Sequence, residues 1–124
     1  VDAIRGLALY YPALCIPDDW RARFADGEAI PDRLNFWGLT IGRAYFEAAT
    51  ALHVEDVTGH YAGPVLIVHG DRDEVVPLRY ATEAAARYPN ARLAVLTGER
   101  HGFSPAAAKT ARAQVLALMQ EASQ

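Results

Sequence analysis

Residues Gly63 to Pro77 read G-P-V-L-I-V-H-G-D-R-D-E-V-V-P. Val65, Leu66, Ile67 and Val68 form an unbroken apolar run with three β-branched residues, the composition of a strand covered on both faces. Gly70 and three acidic residues follow at once. In an open parallel sheet, such a change from buried strand to acidic loop is how a carboxylate is presented at the carboxyl edge. Asp73 is the candidate carboxylate, and a second loop of the same kind, T-G-E-R-H-G-F at Thr97 to Phe103, supplies His101 as its partner.

Working outward, Leu7 to Tyr10 reads as a first strand closed by Pro12, and Leu93 to Leu96 as a third. Leu78 to Tyr88 carries Ala81, Ala84, Ala85 and Tyr88 at three- and four-residue steps. Pro105 opens a last helix with Ala111, Val115, Leu118 and Ala122 along one face. Gly42 to Leu52 is a further helix, and Asp18 or Asp19 is expected to cap a turn of helix through Phe24. Strands alternating with helices predict an α/β architecture with a parallel sheet. Between Cys15 and Gly59 the texture changes: Pro17, Gly27, Pro31, Gly38 and Gly42 divide it into short pieces rich in aromatic side chains. Two compatible readings follow. The segment is a satellite core over the sheet, or a cap whose residues, Trp20 and Trp37 among them, line an apolar substrate pocket.

The bounds are narrow. At 124 residues with 52% hydrophobic content, the chain is one domain in size and able to bury a core. A net charge of -3 offers no basic field for a phosphate backbone, so nucleic acid is set aside as a partner. No apolar stretch approaches a membrane span, and no signal core follows the start, so the expectation is a soluble chain without a membrane partner. Cys15, the single cysteine, cannot form an internal disulfide, and the four histidines lie far apart, which argues against a zinc module. A reducing cytoplasm is the expected compartment.

Asp73 and His101 each lie just beyond a strand end, so neighbouring parallel strands would set their loops side by side. An aspartate bonded to one imidazole nitrogen fixes the tautomer and stabilises the imidazolium formed when histidine acts as general base. An ion pair in a solvated loop is the plainer alternative. Asp71 competes with Asp73 but suits a turn. His69, at a strand terminus, suits a packed histidine bonded to backbone. Glu99 and Arg100 are placed to adjust the field near His101, Phe103 to shield it from water, and Ser104 to cap the last helix.

The pieces H-G-D-R-D-E-V-V-P and G-E-R-H-G-F, joined by a helix and a strand, resemble the carboxyl-terminal part of α/β-hydrolase-fold serine hydrolases. The likeness is strongest to cinnamoyl (feruloyl) esterases, with dipeptidyl-peptidase-like hydrolases second. It covers nearly the whole chain. It implies a partial α/β-hydrolase domain over 1–124, with an inserted cap at 14–60 and the last two strands and helices at 61–124. It also implies Asp73 as triad acid, His101 as triad base, and Tyr45 as a cap tyrosine for the substrate's phenolic end. Tyr45, Trp20, Trp37 and Phe103 are thus the expected substrate contacts, and no metal or organic cofactor is expected. The family's G-x-S-x-G elbow is missing: the only serines are Ser104 and Ser123, and P-A-L-C-I-P around Cys15 is not an elbow. The expectation is therefore a fragment whose nucleophilic serine and oxyanion hole lie upstream of Val1. Its partners would be a small-molecule ester and either the missing amino-terminal half or a second copy joined at the open edge of the first strand. A non-catalytic assembly fragment and a prolyl-peptidase-like hydrolase are the alternatives.

Overall fold

The computed structural model describes residues 3–25 and 28–124. Val1 and the expected break at Gly27 lie outside the described residues. In chain order the elements are β1 (Leu7–Tyr10), α1 (Ile16–Arg23), β2 (Arg33–Phe36), β3 (Leu39–Gly42), α2 (Arg43–Ala51), α3 (Val54–Val57), β4 (Val65–Gly70), α4 (Leu78–Arg87), β5 (Ala91–Leu96) and α5 (Pro105–Ala122). They fall into two compact units, Val1–Leu14 with Glu55–Gln124, and Cys15–Val54.

The first unit is a parallel sheet in the order β1-β4-β5. Every residue of β4 is buried, as a central strand covered on both faces requires. Val65 and Ile67 pack with Ala81 and Ala84 of α4, and Leu7, Leu9 and Leu93 close around them. Leu66 and Val68 point the other way, into Ala111 and Leu118 of α5 with Tyr10, Val115 and Phe103. The two alternating residue sets of β4 thus account for both covering helices. The alanines matter for the same reason. Ala81 and Ala84 are completely buried, so nothing larger than methyl separates the α4 backbone from the sheet there. The register runs Leu9↔Ile67 and Ile67↔Leu93, so the three strands end close together. The outer edge of β1 has no strand partner among the described residues.

The second unit is held by Trp20, Phe46 and Ala49, with Phe24, Ile30, Leu34 and Ile41 around them. Trp20 meets Phe46 edge-on, with ring centroids 4.7 Å apart. Arg21 donates to the carbonyls of Thr50 and Leu52 at 3.1 and 2.7 Å, satisfying acceptors that the end of α2 leaves open. Two expectations are corrected here. Neither Asp18 nor Asp19 caps α1: Cys15 holds the N-cap position with no side-chain capping hydrogen bond, and both aspartates lie in the first turn. There they complement the helix dipole, and Asp18 accepts from Arg21 at 2.6 Å. The stretch read as short pieces with two helices also contains an antiparallel hairpin, β2 with β3, paired Phe36↔Leu39 across a two-residue loop. That loop, Trp37-Gly38, has φ of 50° and 77°, the double positive φ of a type I′ turn.

Candidate active site

Gly70 ends β4 where no side chain fits: a Cβ there would lie 2.2 Å from the Glu99 carbonyl oxygen. The contact lets the loop after β4 run against the loop after β5. Asp71 N–H donates to Leu96 O at 3.2 Å and Arg72 N–H to Glu99 O at 2.9 Å. The Asp71 carboxylate accepts from Gly98 N–H at 2.7 Å. Asp71 thus serves as a tie between loops. Gly70→Ala should lower the melting temperature by an amount equivalent to about 1–3 kcal/mol, the usual cost of overpacking. An unchanged melting curve would contradict the close approach.

Asp73 lies inside this double loop with its side chain fully shielded from solvent. Oδ1 accepts from the N–H groups of Val75 and Val76 at 2.9 and 2.8 Å, and Oδ2 accepts from Nδ1 of His101 at 2.9 Å. Burial by itself pushes the carboxyl pKa up. The Val76 N–H, the His101 ring, the Val75 N–H and the charge His101 can carry outweigh it and hold Asp73 below its ordinary value. An ionised carboxylate only accepts, so Nδ1 of His101 carries the proton, and the neutral ring keeps its Nε2 lone pair. That is the tautomer a general base needs. The His101 side chain is one-third exposed, and among the described residues no group is hydrogen-bonded to Nε2.

His69 is packed and bonded to backbone: Nε2 donates to the Val76 carbonyl at 2.7 Å. It also stands 3.4 Å from Oδ2 of Asp73, a relation that its position at a strand end does not reveal. Its Nδ1 is buried without a partner among the described residues. Glu99 is taken up locally, accepting from the Ser104 N–H at 3.0 Å and the Ser104 hydroxyl at 2.8 Å. These two bonds hold its carboxyl below the ordinary value despite a small opposing effect of burial. Ser104 in turn accepts from Ala107 N–H as the N-cap of α5. Arg72 and Glu74 are exposed.

Phe103 lies half-buried on the α5 side of the sheet, with its ring 5.6 Å from Tyr10 and 4.8 Å from Tyr11. Tyr11, which the sequence reading passed over, has its ring centroid 4.4 Å from that of His101. A signal was available: it follows the last residue of a sheet strand, the same rule that selected Asp73 and His101. In the second unit, Trp20 is buried in the aromatic core and its indole nitrogen lies 3.4 Å from the Tyr45 hydroxyl. Tyr45 is 43% exposed, and Trp37, at the hairpin tip, is 85% exposed. Among the described residues no group of three or more histidine, cysteine, aspartate or glutamate side chains is placed to hold a metal ion.

A parallel sheet with helices packed on both of its faces has the α/β-hydrolase fold. The chain belongs to the TAP-like protein family, whose pattern it matches over residues 42–124. A non-heme haloperoxidase of Rhodococcus erythropolis is 34% identical over 93 residues, which is 69% of this chain and 34% of that protein. Est1E of Butyrivibrio proteoclasticus, solved with ferulic acid bound, is 30% identical over 99% of this chain and 52% of its own, with a TM-score of 0.82. The mouse α/β hydrolase domain-containing protein 10 shares the fold at 15% identity, with a TM-score of 0.75 over 94% of this chain and 52% of its own. The chain spans about half the length of these solved structures and about a third of the curated relative. No helix among the described residues is long and apolar enough to cross a membrane.

Proposed function

We propose that this chain supplies the acid and base of a carboxylic ester hydrolase working through an acyl-enzyme. The observation that carries the reading is the buried Asp73 carboxylate receiving His101 Nδ1–H at 2.9 Å while Nε2 stays unengaged. In this mechanism a serine hydroxyl, carried by polypeptide outside this sequence, attacks the ester carbonyl as Nε2 of His101 takes its proton. The tetrahedral intermediate then collapses, and the imidazolium returns the proton to the departing alkoxide. Water deacylates the enzyme by the same route, with His101 again as base and serine as leaving group. Oxyanion donors are assigned to that same outside polypeptide. The acyl group is proposed to be aromatic, consistent with the ferulic acid bound by Est1E. Tyr45 and Trp37 are proposed as its contacts, with Trp20 supporting Tyr45 through the indole nitrogen, and Phe103 as an apolar boundary beside the base.

The test compares the 124-residue chain with the longer polypeptide that carries it. The chain alone is expected to resist a fluorophosphonate probe, and the longer polypeptide to hydrolyse hydroxycinnamate esters in preference to short proline-containing peptides. Labelling of the chain alone would remove the need for an outside serine, and a preference for peptides would move the reading to a peptidase. The open edge of β1 supports a second role, association with a further strand. A strictly monomeric chain in light scattering at high concentration would contradict that role.

A further inference from the structure

Tyr11 stands out as a bulky residue in the left-handed region of backbone space, with φ of 33°. For such a residue this conformation costs about 1–3 kcal/mol and persists only where its surroundings over-determine it. Here its N–H donates to Val68 O at 2.9 Å, carrying the β1–β4 ladder one step past the strand, and its ring is packed between His101 and Phe103. The conformation places the ring against His101, at 4.4 Å and 54°. Phe103 backs it edge-on at 4.8 Å, and Tyr10 packs behind Phe103 at 5.6 Å.

We propose that Tyr11 is a positioning residue for His101: with Phe103 it forms an aromatic clamp that holds the imidazole on Asp73 with Nε2 turned to the reacting serine. The inference rests on His101 being the base. The physical need is plain, since one hydrogen bond at Nδ1 leaves the ring free to swing about its side-chain torsions, and a one-third exposed imidazole has solvent to swing into. An aromatic wall removes that freedom.

The experiment uses the longer, serine-bearing protein and its variants Tyr11→Leu and Tyr11→Phe. Proton NMR of the unaltered protein should show nuclear Overhauser contacts between the Tyr11 ring and the His101 ring protons, and a sharp, exchange-protected Nδ1–H signal. Tyr11→Leu should broaden that signal into water and lower kcat by about 10- to 100-fold, the scale of a misplaced catalytic group, with KM changed by less than about twofold. Tyr11→Phe, which keeps the ring, should restore both. Absence of the Overhauser contacts would overturn the clamp without recourse to any variant. So would a Tyr11→Leu protein that retains signal and kcat while His101→Ala is inactive. Activity surviving in His101→Ala would overturn the base reading itself.

Discussion

In the serine-bearing protein, His101→Ala should lower kcat for an aryl ester by about a millionfold, leaving only the acceleration that binding and oxyanion donors provide. The size follows from the position of the lost group. Without Nε2 the proposed serine nucleophile loses the group assigned to take its proton. Asp73 cannot substitute, because Oδ1 is occupied by the Val75 and Val76 N–H groups and the carboxylate is wholly buried. Melting should also fall, by an amount equivalent to about 1.5–3 kcal/mol, since Oδ2 of the buried Asp73 carboxylate loses its charge-assisted partner. Steady-state hydrolysis measured beside a thermal melt checks both halves. A variant that loses only tenfold would mean that another group is the base.

Asp73→Asn should cost about ten-thousandfold in kcat for a different reason. The amide keeps an oxygen for the Val75 and Val76 N–H groups, so the loop stays in place. Its NH2 then faces His101 where Oδ2 stood. Two donors cannot share a hydrogen bond, so His101 shifts its proton to Nε2 and ceases to be a base. Stability carries a second signature. The Asp73 carboxyl has a folded-state pKa below its ordinary 3.8, so its contribution is fully present above that value and is lost as pH falls through the folded value. Asp73→Asn should therefore be less stable than the unaltered protein at neutral pH, by about 1.5–3 kcal/mol for a lost charge-assisted bond. The gap should close below about pH 4. Denaturant titrations at pH 7 and at the lowest pH where both proteins fold would check it. A gap that is constant with pH would show that the carboxylate's charge is not what matters.

The parts that sequence makes legible are those set by burial and periodicity. The run Val65 to Val68 becomes the central strand because four apolar side chains in succession need cover on both faces, and Ala81, Ala84, Ala111 and Leu118 provide it. Asp73 and His101 follow from their place just beyond strand ends. What stayed hidden depends on backbone conformations or on partners distant in sequence. The β2–β3 hairpin turns on Trp37, and Tyr11 reaches His101, each through a positive φ at a residue type that gives no warning of it. The strand β5 begins at Ala91, earlier than the apolar run beginning at Leu93, because its polar Arg92 faces outward and reaches Glu121 of α5 at 3.4 Å. The helix α1 starts before Asp18 because Pro17 sits in its first turn, where a missing N–H costs nothing. His69 could be placed as a packed residue, but its 3.4 Å approach to Asp73 depends on how the loop returns at Val76.

The central claim, that Asp73 and His101 activate a serine carried outside this sequence, is tested most directly by intact-mass spectrometry of the longer polypeptide after a timed fluorophosphonate exposure. The account predicts one adduct per molecule, located on a serine outside these 124 residues, formed at least about a thousandfold more slowly in Asp73→Asn and His101→Ala. An adduct on Ser104, Ser123 or Cys15, or equal labelling rates in all three proteins, would contradict it.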